Sequence, residues 1–362
     1  MAYGARLESV LGASPRGFES PILRREKPQS NLGLCHLQPR HQLGFSYYWH
    51  ALSFSAKEFL MKYSMPEGSA DAKILTLSDG RKLTYFDNGI EGNQAILFHH
   101  GTPGSGALWQ SWFNAAADVG IRAVAYTKAG YTGSDRAGVR TVADASNDFL
   151  ELLDTLGVEQ FVSVGWSGGG PYALHSTFAT GCLGADLIAG VGPFFEMGED
   201  FLLGLSESES LETLNSWASN RANAQELALK EMANIEQEWT LESWNESAQA
   251  RPQYFEFKNL YETFNAHAAP ARLNSVLPDV SGYADDYHLI VKDWGFAVSD
   301  VTKPVSIWNG TLDKGVSPQH ATWQHERIQG SELYILEGQN HTSIMVEAMN
   351  EILNSAIAKL RS

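Results

Sequence analysis

Residues 162–175 read VSVGWSGGGPYALH, an apolar run that passes through a serine among glycines into helix-forming residues. Within it, Gly165-Trp166-Ser167-Gly168-Gly169 matches G-x-S-x-G, the pattern of a nucleophilic serine on a sharp strand-to-helix turn. A serine on such a turn has strained backbone angles, so its neighbours must be small. The amides at the start of the following helix would favour a developing negative charge. The stretch therefore predicts a strand, a helix and, between them, the candidate nucleophile Ser167.

Short apolar runs alternate with helical patterns on both sides of this stretch. Strands are predicted at 73–77, 83–86, 95–98, 123–126, 161–164, 187–191, 305–308 and 333–336. Helices are predicted at 107–119, 142–156, 167–180, 318–328 and 344–360. The first two strands flank a glycine turn and should form a hairpin. Strand–helix alternation elsewhere predicts an α/β fold, with a mostly parallel, doubly wound sheet between two layers of helices.

The alternation is interrupted near residue 194 and resumes near residue 298. The intervening residues have a helical pattern, and 195–300 holds 19 Asp/Glu against six Lys/Arg. We therefore expect a core of 65–193 and 298–362, with a helical cap of 194–297 inserted into it. Residues 1–64 carry eight Lys/Arg, four Glu and no sustained periodicity. They are predicted to be an N-terminal extension, either disordered or a targeting segment.

Composition excludes several classes of protein. The 362 residues include 43% hydrophobic residues, enough for a packed core, and the two cysteines, Cys35 and Cys182, cannot form a disulfide scaffold. The net charge of −16 disfavours nucleic acid, and no apolar run is long enough to span a membrane. No Cys/His cluster has zinc-site spacing, and we expect neither metal nor cofactor. No signal-peptide core is present near the start, so a cytoplasmic location is predicted, with a mitochondrial one open if 1–64 is a transit segment.

A second motif, 99-HHGTPGSG-106, directly follows the predicted strand 95–98. Stabilising an oxyanion takes two backbone donors, one from the residue after the nucleophile and one from a loop after an earlier strand. The predicted donors are the amides of Gly168 and Thr102. His100 is interpreted as a structural hydrogen-bonding residue within the loop.

A nucleophilic serine also needs a base and a carboxylate that orients the base. Asp313 follows the strand 305–308, and His341 follows the strand 333–336. The chain order Ser167, Asp313, His341 is typical of this architecture, because open α/β sheets place their sites beyond the carboxyl ends of strands. Glu196 and Glu199, beyond the strand 187–191, remain as alternative acids.

Together these motifs resemble those of the α/β-hydrolase superfamily over residues 73–362. The resemblance rests on His100-Gly101-Thr102-Pro103-Gly104, on the serine motif, on Asn309-Gly310-Thr311-Leu312-Asp313 and on Asn340-His341. It implies an α/β-hydrolase fold with nucleophile Ser167, acid Asp313 and base His341. The stretch 127-TKAGYTGS-134 departs from the family's usual Asp-Arg-Pro-Gly-Tyr-Gly-x-Ser, a difference we expect to be architectural. Epoxide hydrolases and haloalkane dehalogenases of this fold use an aspartate as nucleophile, so Ser167 argues against both.

The predicted function is that of a serine esterase, acting on a small, fairly apolar acyl substrate. Trp166 and Tyr131, on loops that flank the serine, are the predicted pocket residues. One alternative is an aminopeptidase similar to proline iminopeptidases, which read a free amine with acidic cap residues. Another is a non-catalytic ligand sensor on the same fold. The natural substrate and the oligomeric state stay open.

Overall fold

The computed structural model describes residues 63–138, 140–204, 210–277 and 279–362. Apart from residues 63 and 64, the predicted extension 1–64 lies outside these ranges. The described chain forms an eight-stranded sheet in the order β1-β2-β4-β3-β5-β6-β7-β8. The strands are Lys73–Thr76 (β1), Lys82–Asp87 (β2), Gln94–His99 (β3), Ala123–Tyr126 (β4), Gln160–Trp166 (β5), Cys182–Ile188 (β6), Val305–Gly310 (β7) and Glu332–Leu336 (β8).

The sheet confirms the predicted parallel arrangement. Strands β4, β3, β5, β6, β7 and β8 run parallel, and β1 and β2 form the predicted antiparallel hairpin at one edge. Strand β5 lies in the interior, between β3 and β6. Its carboxyl end, where Ser167 follows, therefore meets the carboxyl ends of β3, β7 and β8 at one side of the sheet.

Twelve α-helices occur in the described ranges. They are Gln110–Asp118 (α1), Val142–Thr155 (α2), Gly170–Ser176 (α3), Phe194–Met197 (α4), Leu211–Ser219 (α5), Arg221–Glu238 (α6), Leu241–Gln249 (α7), Lys258–Ser275 (α8), Ser281–Ile290 (α9), Pro318–His325 (α10), Ile344–Glu347 (α11) and Met349–Leu360 (α12). Helices α4 to α9 all lie between β6 and β7, and we call this stretch the helical insert. None of the helices in the described part of the chain is both long and apolar enough to cross a membrane.

Two apolar clusters, one on each face of the sheet, form the core. The first joins β3 and β5 to α2 and α3 through residues such as Phe149 and Leu174. The second joins the strands to α1 and α12 through residues such as Trp112 and Ile352. Side chains of both clusters are almost fully buried, because helices cover both faces of a parallel sheet. The doubly wound α/β architecture is thereby confirmed.

Three elements differ most from their predicted bounds. Strand β6 begins at Cys182. The sequence predicted a start at residue 187, because the polar Asp186 interrupts the apolar run. That carboxylate is buried and accepts hydrogen bonds from Trp308 Nε1 and Lys359 Nζ, each at 3.0 Å, so its burial is compensated. Residues 167–169 form a 3-10 turn and α3 ends at Ser176, four residues early. The predicted C-terminal helix is divided at Ala348 into α11 and α12.

Candidate active site

Ser167 stands on a strained turn directly after β5. Its φ is +56°, a region that non-glycine residues rarely adopt. A Cβ atom on Gly165 would lie 2.5 Å from the carbonyl oxygen of Gly169 and 2.7 Å from Cβ of Ala173. Position 165 therefore admits only glycine, for the reason that the sequence motif suggested. The strain presents the serine side chain at the end of the strand, where it lines a cavity.

The loops after β7 and β8 bring Asp313 and His341 together. His341 Nδ1 donates to Asp313 Oδ2 at 2.8 Å, and the carboxylate side chain is fully buried. The other oxygen, Oδ1, accepts the amides of Gly315 and Val316, each at 2.9 Å. With Nδ1 carrying the proton, His341 Nε2 is the ring nitrogen that can accept one. Trp166 Nε1 further fixes the histidine backbone by donating to the carbonyl of His341 at 3.0 Å.

The alternative acids lie elsewhere. Glu196 is in α4 and Glu199 in the turn that follows, and both side chains are exposed. Asp313 is therefore the carboxylate that contacts His341 in the described chain.

The loop after β3 packs directly against the serine. A Cβ on Gly101 would lie 3.1 Å from Cβ of Ser167, and a Cβ on Gly168 would lie 3.0 Å from Cβ of Thr102. The two predicted amide donors, on Thr102 and Gly168, thus belong to adjacent segments that both line the cavity with Ser167. The absence of side-chain bulk at positions 101 and 168 is what permits this approach.

His100 holds the same loop from behind. Its Nδ1 donates to the carbonyl of Gly101 at 2.7 Å, and its Nε2 accepts the amide of Lys128 at 3.0 Å. Burial lowers the pKa of His100 well below its ordinary value, so the ring stays neutral and keeps both bonds. This geometry agrees with the structural interpretation of His100.

A buried ion pair links the loop after β4 to the helical insert. Lys128 Nζ lies 2.5 Å from Asp286 Oδ2, and the two side chains are 2% and 4% exposed. The same oxygen accepts Thr102 Oγ1 at 2.8 Å and Tyr131 OH at 2.7 Å, and Oδ1 accepts Tyr172 OH at 2.9 Å. Burial lowers the pKa of Lys128, against the opposing effect of Asp286. Lys128 belongs to the stretch 127–129, where this sequence departs from the usual motif. Its role in binding the insert to the core was not indicated by the sequence.

The serine faces a cavity of about 400 Å³ between the sheet and the insert. Ser167, Thr102, Gly168 and His341 line one side of it. Core residues Val191, Gly315, Val316 and His320 line a further part. Side chains of the insert line most of the remainder: Phe201, Leu214, Trp217, Glu231, Trp239, Arg272, Tyr283, Tyr287, Ile290 and Val291. The wall is therefore largely apolar and aromatic, with a few polar groups, as small-molecule sites commonly are.

The two predicted pocket residues lie behind this wall. Trp166 is 2% exposed and packs against the ring of His341, with centroids 5.3 Å apart. Tyr131 is also 2% exposed and directs its hydroxyl to Asp286. Both are close to the serine in sequence or on a neighbouring loop, but their side chains face the core. Most of the wall comes instead from residues of the insert, which sequence reasoning did not single out because their faces depend on how the helices pack.

Comparison with known proteins places this architecture in a wider group. Residues 96–355 match the family model described as the alpha/beta hydrolase family. An epoxide hydrolase from Caballeronia sordidicola is 35% identical over 85 residues, which are 23% of this chain and 26% of that protein. The chain thus matches only about a quarter of that relative's length.

Solved structures resemble the chain over most of its length. A hydrolase from Pseudomonas aeruginosa PA01 has a TM-score of 0.57 and 19% identity, and the match covers 82% of this chain and 100% of that one. The esterase EaEST from Exiguobacterium antarcticum has a TM-score of 0.55 and 17% identity, covering 81% of this chain and 100% of that one. At this identity the likeness establishes the shared fold.

Proposed function

The chain belongs to the alpha/beta hydrolase family, and from that premise we propose that it is a serine hydrolase. Its substrate in this proposal is a small, fairly apolar ester or related acyl compound, cleaved through an acyl-enzyme. The observation that carries the proposal is one cavity lined by both a serine on a strained turn and a histidine oriented by a buried aspartate. That combination is what an activated oxygen nucleophile needs.

The proposed reaction assigns each group a step. Ser167 Oγ attacks the acyl carbon while His341 Nε2 takes its proton, and Asp313 stabilises the imidazolium that forms. The amides of Thr102 and Gly168 donate to the oxyanion of the tetrahedral intermediate. His341 then returns the proton to the leaving alkoxide, and an acyl group remains on the serine. Water, deprotonated by His341, cleaves that ester and regenerates Ser167.

The helical insert, 194–297, acts as a cap in this proposal, with 65–193 and 298–362 as the catalytic core. Insert side chains supply most of the wall of the serine cavity, which supports that assignment. Specificity would then reside in the insert, and the chemistry in the loops of the sheet.

Epoxide hydrolysis, named for the relative from Caballeronia, fits the serine poorly. A carboxylate that opens an epoxide forms an ester, which water can cleave in a second step. Serine would instead form an alkyl ether, which has no acyl carbon for water to attack. Ser167 therefore supports acyl chemistry.

An aminopeptidase is the second candidate, favoured by one observation. Glu231, from α6, lines the same cavity and could pair with a free amine. Its Oε2 already accepts the hydroxyl of Tyr283 and, at 3.3 Å, that of Tyr287. Cleavage of amino-acyl arylamides in preference to simple esters would support this candidate, and the reverse preference would remove it.

Labelling with a fluorophosphonate probe tests the proposal. Wild type should react covalently, and Ser167→Ala should not, while a Ser219→Ala control on the surface of α5 should label like wild type. Hydrolysis of 4-nitrophenyl butyrate should be lost in the same variant alone. Equal labelling of wild type and Ser167→Ala, with both proteins folded by circular dichroism, would contradict the assignment. Ligand binding without labelling or turnover would favour the sensor alternative.

A further inference from the structure

A cation that makes no ion pair with the described residues lines the serine cavity. Arg272, in α8, is one of the residues that line both this cavity and a neighbouring one of about 220 Å³. Its Nε is enclosed and has no hydrogen-bond partner, and its guanidinium makes no ion pair, within the described ranges. Burying an arginine in this way is costly unless a partner is supplied.

The other arginine beside the neighbouring cavity has such a partner. Arg251 Nε lies 2.6 Å from Glu347 Oε1, and a second nitrogen donates to Glu347 Oε2 at 3.1 Å. The fold thus provides a bidentate carboxylate where an arginine serves the structure. Arg272 differs because nothing in the described chain plays the part of Glu347.

Aromatic stacking holds the Arg272 guanidinium in place without using its donors. Its Cζ lies 3.9 Å from the ring centroid of Trp239 and 5.8 Å from that of Trp244. Stacking occupies the faces of the planar group, whereas its N–H donors point outward in the plane. Nε is enclosed, so the edge that remains available to an acceptor is the one formed by the two terminal nitrogens, Nη1 and Nη2. The group is already oriented before a ligand arrives.

The charges that face Arg272 leave room for an anion. Burial lowers the pKa of Arg272, and the tyrosines 283 and 287 together with Glu231 act in the opposite direction. Arginine remains protonated despite such a shift, because its ordinary pKa is so high. Glu231 is the acidic neighbour in the cavity, but its Oε2 is engaged by Tyr283 and Tyr287. The donors of Arg272 therefore still need a planar acceptor, which a ligand in the cavity could provide.

We propose that the substrate carries a carboxylate, which the Arg272 edge binds while the scissile acyl group lies at Ser167. This inference rests on the proposed serine hydrolase and specifies its substrate class: an apolar ester that bears one free carboxylate, such as a dicarboxylic acid monoester. The abundant negative charge of the insert does not oppose it, because the cavity wall presents an arginine. Arg272 is thus a specificity-determining residue, and it takes no part in the chemical step.

A matched set of 4-nitrophenyl esters tests the proposal through kcat/KM. The acyl groups are hemiglutarate (anionic), valerate (neutral) and 4-aminobutyrate (cationic). Wild type should prefer the hemiglutarate ester by about 10-fold or more, as a charge-assisted bidentate contact implies. Arg272→Gln should lower kcat/KM for that ester by about 10- to 100-fold and change the valerate ester by less than about threefold. Arg272→Lys should restore part of the loss, because it keeps the charge without the planar fork.

A binding measurement separates this inference from the proposed function. Ser167→Ala should bind monoethyl glutarate more tightly than diethyl glutarate by calorimetry, and Ser167→Ala/Arg272→Gln should lose that difference. If wild type cleaves none of the esters but the binding difference is present, the proposed function fails and the carboxylate subsite stands. Cleavage of all the esters with no effect of Arg272→Gln on their ranking overturns the inference. A preference for the cationic ester also overturns it and favours the aminopeptidase.

Discussion

Removing the carboxylate of Asp286 should destabilise the protein far more than removing the carboxylate of the adjacent Asp285. Asp286 accepts hydrogen bonds from Lys128, Thr102, Tyr131 and Tyr172, at 2.5 to 2.9 Å. In Asp286→Ala the Lys128 ammonium, on a side chain only 2% exposed, loses its counter-ion. Breaking a buried pair in this way costs about 3–5 kcal/mol. At about 2 °C per kcal/mol, the melting temperature should fall by about 6–10 °C.

The matched control is Asp285→Ala, the adjacent residue of α9. Asp285 pairs with Arg136, whose side chain is 47% exposed, and with Arg221, at 24%. Solvent replaces much of such an interaction, so the loss should be about 1 kcal/mol or less. Equilibrium urea unfolding followed by tryptophan fluorescence measures both variants against wild type.

A double-mutant cycle separates the charge pair from the other contacts. Lys128→Met and Asp286→Ala each leave one buried charge unpaired, whereas the double variant leaves neither. The double variant should therefore be more stable than the sum of the single losses predicts, by about 2 kcal/mol. Additive losses, or equal losses in Asp286→Ala and Asp285→Ala, would refute the view that this pair joins the insert to the core.

Three more substitutions test the site and its surroundings. Gly165→Ala should lower the stability measured by thermal denaturation by at least about 2 kcal/mol, because the added methyl group meets the backbone of Gly169. The control Gly138→Ala, whose methyl group enters open space, should change stability by less than about 0.5 kcal/mol. Similar values for the two variants would contradict the packing argument. Between pH 6.5 and 4 the free energy of unfolding should fall by about 3 kcal/mol through His320, since burial lowers the pKa of this histidine to about 4 and the unfolded chain binds the proton first. Urea unfolding of His320→Gln should show a smaller fall over the same pH range. An equal fall would exclude His320 as the origin. Asp313→Asn should lower kcat for 4-nitrophenyl butyrate by about 10³- to 10⁴-fold with the fold retained, and near wild-type kcat would remove Asp313 from the triad.

The sequence predicted the sheet and most of its strands because their signals are local. Alternation of apolar runs and helical patterns depends on neighbouring residues, and β4 has the predicted bounds. The predicted start of β6 was too late because the burial of Asp186 is compensated by Lys359, which is 173 residues away in the chain. Judged from its sequence neighbours alone, Asp186 is simply a polar residue. Only the fold brings the partners that allow it to be buried.

The residues around the serine divide in the same way. Ser167, Asp313 and His341 each follow a strand, and a parallel sheet brings such ends together, so position along the chain was enough to propose them. The pocket wall was not predictable, because it is formed where helices of the insert face the sheet. Trp166 and Tyr131 are close to the serine, yet their side chains turn inward.

By itself the sequence determined the fold class, the serine motif and the order of the three candidate catalytic residues, because glycine spacing and strand ends impose these locally. Only the tertiary structure decided which acid contacts His341, which side chains line the cavity and which charges lack a partner. Lys128 and Asp286 are 158 residues apart, and Arg272 stands out because none of the described residues supplies a carboxylate to pair with it. Such features depend on distances through space and on exclusion of water, and neither is encoded in the spacing of residues along a chain.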